Sequence, residues 1–162
     1  MIGINLKKIA VFVDVQNIYY TCRDTYRRQF NYRKLWDILQ QEGEIICANA
    51  YAIQRMDDKQ IKFQTALKNI GFIVKLKPFI QRNDGSAKGD WDVGITIDVL
   101  EAVKAVDSVV LLSGDGDFDI LLKKIRKDYS LETQVYGVRE LSADSLIKSA
   151  TVFHPITPSL LM

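Results

Sequence analysis

The sequence predicts an α/β fold in which a mostly parallel sheet is covered by helices. Two short, continuous apolar runs, Ile9 to Val13 (IAVFV) and Ser108 to Leu112 (SVVLL), have the character of strands buried on both faces. Strand-like and helix-like segments alternate along the chain, the pattern of right-handed βαβ crossovers. No repeat, low-complexity tract or Pro/Gly/Ser linker interrupts the alternation, so the 162 residues are read as one domain, 1–162.

After the first run a helix is expected over Ile18 to Tyr26. A second follows Asn31, with Leu35, Trp36 and Leu39 on its apolar side, and Gly43 stops it. Glu44 to Ile53 reads as a strand. Asp57 is placed to cap a helix whose apolar face carries Ile61, Phe63, Leu67 and Ile70 and which Gly71 terminates. Phe72 to Pro78 alternates apolar residues with lysines, as a strand nearer an edge does. A polar, glycine-bearing loop, Gln81 to Asp90, comes next. Asp92 to Val106 is apolar almost all round and is expected to form a buried helix. After SVVLL, a helix beyond Asp117 carries Phe118, Leu121, Leu122 and Ile125 at helical spacing, with Lys123, Lys124, Arg126 and Lys127 mostly facing away. Thr133 to Val138 is a further strand, Leu141 to Ser149 a short helix and Thr151 to Phe153 a last short strand. The apolar tail, Ile156, Leu160, Leu161 and Met162, docks either on the domain or on a partner, a homodimer being one such assembly.

Twenty-two basic against 20 acidic residues leave a net charge of +2, so an anionic partner must be met by a local patch. The cysteines, Cys22 and Cys47, form no CxxC and read as free structural thiols. The N-terminal apolar run is too short for a secretion signal and an aspartate ends it. No stretch approaches the ~20 apolar residues of a membrane span, and a cytoplasmic protein is expected.

In open parallel sheets, sites form beyond the carboxyl ends of the strands. There the chain concentrates acid. IAVFV runs directly into Asp14, with Asn17 three residues on (DVQN). SVVLL runs into Ser113, Gly114, Asp115, Gly116, Asp117, Phe118 and Asp119 (SGDGDFD). Asp90 and Asp92 (KGDWD) stand where the polar loop enters a helix, and Asp98 lies within that helix. Carboxylates gathered at one edge repel each other unless a cation lies among them. Hard oxygen donors without a nearby histidine or thiolate suit Mg²⁺ or Mn²⁺ rather than zinc. Such a site fits phosphodiester hydrolysis. His154 is too isolated for a triad, and Ser113 has no histidine partner in sequence. Each aspartate has a plainer role open to it. Asp115, Asp117 or Asp92 can cap a helix, Asp14 can serve a turn, and Asp98 can pair with a lysine as well as act as a further ligand.

DVQN, KGDWDVGITID and SGDGDF together resemble the NYN domain, the LabA-like branch of the PIN-like nuclease superfamily, over about Ile9 to Phe153. The resemblance implies a three-layer αβα sandwich of PIN-like (Rossmannoid) type, an acidic Mg²⁺ site and ribonuclease activity. Carried over by residue, Asp14, Asp92, Asp115 and Asp117 would be ligands, and Asn17 would orient Asp14 or the substrate. Asp119 is a weaker candidate, with Ser113 beside the ligands. The usual lysine-glycine motif has one residue before its first aspartate, whereas here Asp90 and Trp91 both intervene. The spacing from Asp92 to Asp98 favours Asp92. Lys88 would either contact the scissile phosphate or stand solvated in its loop. Trp91 would either stack on a base or plug the base of its loop. Arg23, Arg27 and Lys123 belong to basic groups that either form a patch for RNA or are simply solvated helix faces. The implied function is a metal-dependent endoribonuclease. Its alternatives are a non-catalytic RNA-binding or regulatory module of LabA-like type, and a phosphohydrolase of small phosphate esters.

Overall fold

The computed structural model describes residues 6–54, 57–78 and 90–162 and, for the backbone alone, 80–81 and 87–88. The elements run β1 (Lys8–Asp14), α1 (Val15–Tyr26), α2 (Tyr32–Glu42), β2 (Glu44–Gln54), α3 (Asp58–Ile70), β3 (Ile73–Pro78), β4 (Ile80–Gln81), β5 (Ala87–Lys88), α4 (Asp92–Ala102), β6 (Ser108–Leu112), α5 (Asp119–Tyr129), β7 (Glu132–Gly137), α6 (Asp144–Ser149) and β8 (Val152–Pro155). Six strands form one sheet in the order β3-β2-β1-β6-β7-β8. Every neighbouring pair in it is parallel.

The strand period of two distributes β1 between two cores. Ile9, Val11 and Val13 face one core with Ile18 and Cys22 of α1, Leu35 and Leu39 of α2 and Leu67 of α3. Ala10 and Phe12 face the other, against Ile95 and Val99 of α4, Leu122 and Ile125 of α5 and Leu146 of α6. The molecule is therefore an αβα sandwich. Strand order reverses between β1 and β6, because the chain builds outward from β1 to β3 and then returns over the opposite face through α4. Ligand sites in open α/β sheets form at such a switch point.

The cap expected at Asp57 is made, and Asn31 caps the second helix in the same way. Asn31 accepts from the Lys34 N–H at 3.0 Å and Asp57 from the Gln60 N–H at 2.8 Å. Gly71 takes φ of 137° at the end of α3, and a Cβ there would meet the Trp36 ring at 2.6 Å. The tail docks on the domain: Ile156, Leu160 and Leu161 are buried, and the Met162 N–H reaches the Gln29 carbonyl at 2.8 Å.

Four expectations need correction. The helix expected over Asp92 to Val106 ends at Ala102 and is not buried all round. Only the stripe through Ile95 and Val99 meets the sheet, leaving Val93 69% and Ile97 52% exposed. In α3 the inward stripe takes Gln64 with Leu67, and Ile61 is 55% exposed. The first helix begins at Val15, with no connecting turn. At the polar loop, Ile80 just before it pairs with Lys88 and Gln81 with Ala87 in a short antiparallel ladder. Among the described residues, no helix is long and apolar enough to cross a membrane.

Candidate metal centre

Asp14 is the last residue of β1, in register with Tyr51 of β2, and it follows Ala10 and Phe12 on the face covered by α4 and α5. Ser113 stands one residue past the end of β6, fully buried, on the same side as Val109 and Leu111. Its hydroxyl donates to Asp14 Oδ2 at 3.0 Å and accepts the Asp115 N–H at 3.1 Å. Asn17, in the first turn of α1, accepts the Gly114 N–H through Oδ1 at 2.8 Å. The turns after the two central strands are thus tied by side chains that each turn supplies to the other. Gly114 must be glycine here, since a Cβ would lie 2.9 Å from the Leu141 carbonyl oxygen.

Asp115 accepts the Asp117 N–H at 2.9 Å, capping the short 3-10 turn Gly116–Phe118. Its carboxylate also joins Asp14 and Asp92. One oxygen from each of the three lies within 4.8 Å of the others. Asp92 opens α4, so the cluster draws on both halves of the sheet and on the crossover between them. Capping and clustering, alternatives in the sequence, coincide at Asp115.

The electrostatics are those of crowded acids. Burial raises the Asp14 pKa from 3.8 to about 6 against the Ser113 and Asn17 hydrogen bonds, with Asp115 and Asp90 adding repulsion. Asp92 rises to about 7, through burial first and then the charges of Asp115, Asp90 and Asp14. Asp92 Oδ1 is buried and receives no hydrogen bond from a described residue. That orphaned oxygen, in an all-carboxylate set, fits a hard divalent cation. Metal–oxygen bonds of about 2.1 Å put ligand oxygens about 3–4 Å apart, a separation that lies within the 4.8 Å limit of this cluster.

The remaining sequence candidates fall elsewhere. Asp117, expected as a ligand, is exposed and outside the cluster, its backbone N–H donating to Asp115 Oδ1. Asp119 begins α5 outside the cluster, and Asp90 is exposed, its Oδ1 accepting the Asp92 N–H at 3.3 Å. Asp98 faces away, toward β2 and β3, where it accepts from Tyr51 Oη at 2.7 Å and Lys75 Nζ at 2.6 Å. Burial acts to raise its pKa, but those two partners outweigh it and the net shift is downward.

Trp91 is half-buried at the base of its loop, where Nε1 donates to the Ala52 carbonyl at 2.9 Å. Arg23 and Arg27 are exposed, about 14 Å and about 20 Å along α1 from Asp14 at 1.5 Å per residue. Arg23 pairs with Asp24 and lies over the Tyr20 ring at 4.8 Å. Lys123 is exposed on α5. The Lys88 side chain and Arg82 lie outside the described residues. His154 is structural in its contacts, 2.8 Å from Gln134 Oε1 and stacked on Tyr136.

Comparison with known proteins assigns this constellation to a family. The NYN domain model matches residues 8–157, from the first strand through the last. The chain belongs to the NYN domain family. It is 30% identical over 127 residues to the low amplitude and bright protein LabA of Synechococcus elongatus, an alignment covering 74% of this chain and 68% of that protein. A crystal structure of a Vibrio parahaemolyticus protein of unknown function superposes with a TM-score of 0.94 at 49% identity, covering 100% of both chains. This LabA-like NYN domain is accordingly of nuclease type, within the PIN-like superfamily.

Proposed function

We propose that this NYN domain is a divalent-metal-dependent endoribonuclease, hydrolysing RNA phosphodiester bonds with Mg²⁺ or Mn²⁺. The observation that carries the reading is the trio Asp14, Asp92 and Asp115, whose oxygens converge within 4.8 Å at the switch point of the sheet. These three would hold the cation. When bound, it supplies positive charge to the phosphate oxygens and acidity to water at neutral pH.

The chain's own groups do the positioning. Ser113 fixes the rotamer of Asp14 and holds the backbone of Asp115. Asn17 pins Gly114 and so sets the distance between the two turns. Asp90, exposed at the rim, adds negative charge that keeps Asp14 and Asp92 ready to exchange a proton for a cation. Arg23, Arg27, Lys88 and Lys123 are the basic side chains proposed to meet the polyanion, with Asp117 and Asp119 at the rim of the site.

The experiment is cleavage of a labelled RNA mixture with Mn²⁺ or Mg²⁺, with and without EDTA, by wild type, Asp14→Asn and Asp115→Asn. Metal-dependent cutting lost in both variants supports the reading. A folded wild type that melts higher with metal yet cuts nothing refutes catalysis, leaving an RNA-binding or regulatory module with an ion site.

A further inference from the structure

Asp92 poses a positioning problem. Asp14 and Asp115 follow directly from strands paired to each other, Val13 opposite Leu112. Asp92 arrives on a helix from a crossover, and its buried Oδ1 has no donor among the described residues. Repulsion from its neighbours acts to push it out. Something must hold the start of α4 against the sheet.

That grip is Trp91. Its Nε1–H donates to the Ala52 carbonyl near the end of β2 at 2.9 Å. Its ring lies on Tyr51, centroids 5.3 Å apart at 60°. Tyr51 is 1% exposed and is the β2 residue in register with Asp14. The same tyrosine donates to Asp98 Oδ2 at 2.7 Å and accepts from Asn49 Nδ2 at 3.1 Å, while Lys75 closes on Asp98. Trp91, the N-cap residue of α4, and Asp98 within it are therefore both anchored to a single side chain of β2. Gly94 provides the seat, since a Cβ there would lie 2.6 Å from Trp91 Cε3. Lys77 covers the ring, Nζ 4.5 Å from its centroid, and donates to the Asp90 carbonyl at 3.0 Å.

From this geometry we infer that Trp91, seated on Gly94 and Tyr51, is the positioning residue that holds Asp92 in the cation site. Its ring and N–H are committed to the domain and do not form a platform for a base. The inference rests on the metal-site reading above and adds to it a residue that touches neither cation nor substrate.

The test compares Mn²⁺ affinity by titration calorimetry, RNA affinity in EDTA, and melting in EDTA. The proteins are wild type, Trp91→Ala, Trp91→Phe, Gly94→Ala, the ligand variant Asp92→Asn and a stability control, Val103→Ala, just past the far end of α4. Loss of an outer partner of a ligand costs about 10–100-fold in metal affinity. Trp91→Ala and Gly94→Ala should weaken Mn²⁺ by at least about tenfold. Trp91→Phe, which keeps an aromatic ring of smaller size and loses the N–H, should fall between. RNA affinity in EDTA should hold in all three. Val103→Ala should lower the melting temperature and leave Mn²⁺ affinity intact. The proposal is overturned if Trp91→Ala binds Mn²⁺ as wild type does while Asp92→Asn does not, and in that case the metal site stands. It is equally overturned if Val103→Ala loses Mn²⁺ in proportion to its melting, or if Trp91→Ala loses RNA and keeps Mn²⁺. A wild type that binds no Mn²⁺ removes the metal site and this inference together.

Discussion

Asp14→Asn should make the cation-free protein more stable at neutral pH while abolishing its response to metal. Below pH 4 the Asp14 carboxyl is protonated in both the folded and the unfolded chain. Between pH 4 and about 6 the folded protein keeps a proton that the unfolded chain has released, because burial raises the folded pKa to about 6 from 3.8. The folded state binds more protons there, so stability falls as pH rises through that window. A shift of about 2 units at 1.36 kcal/mol each is about 3 kcal/mol. Asp92, raised to about 7, extends the decline toward neutrality in the wild type. Asparagine carries no charge to bury and still accepts the Ser113 hydroxyl through Oδ1. At pH 7.5 in EDTA the variant should gain up to about 3 kcal/mol, or about 6–12 °C in melting temperature for a chain of this size. With Mn²⁺ at 100 times its dissociation constant the wild type should recover about 2.7 kcal/mol and the variant nothing. The assay is calorimetric melting from pH 4 to 8, with and without EDTA. A variant no more stable than wild type at pH 7.5 in EDTA, or a wild type that gains stability relative to it between pH 4 and 6, refutes the reasoning.

Other substitutions separate the acids by role. Asp92→Asn and Asp115→Asn should each weaken Mn²⁺ by at least about tenfold in titration calorimetry, whereas Asp117→Asn, outside the cluster, should change it by less than about twofold. Asn17→Ala leaves the Gly114 N–H without its acceptor and should cost about 1–3 kcal/mol in urea unfolding, with weaker Mn²⁺ binding as the two turns lose their tie.

The layered fold was legible because its central strands are uncompromised. IAVFV and SVVLL have no polar residue between their ends, and fully buried parallel strands read that way. Asp14 and the SGDGD turn were legible for a related reason: a run of buried residues ending abruptly in acid marks a strand's carboxyl end. The choice between Asp115 and Asp117 was not legible. Both can cap a helix, and only the fold brings the Asp115 carboxylate to Asp14 and Asp92 while leaving Asp117 exposed. Asp98 was ambiguous because its partners, Tyr51 and Lys75, belong to strands far off in sequence. The lysines alternating through β3 were visible, but nothing local says that one of them reaches α4. The outer face of α4 misled for a different reason. Apolar residues all round a helix suggest burial, yet one sheet can cover only one side, and Val93 and Ile97 face out.

The three carboxylates are held unequally, and this orders how the site responds to damage. Asp115 is tied through its own N–H and its side chain, and Asp14 through Ser113, all within turns that continue the central strands. Those strands are the interior of the sheet, so disturbing them requires loss of the fold itself. Asp92 depends on the seating of one helix end, secured by a tryptophan N–H, a tilted ring contact and a glycine. Loosening that end removes one ligand and relieves the crowding among the other two. The cation-free fold can therefore tolerate, or even gain from, changes that ruin the site. At this helix end the contacts that assemble the cluster work against the repulsion that a bound cation would remove.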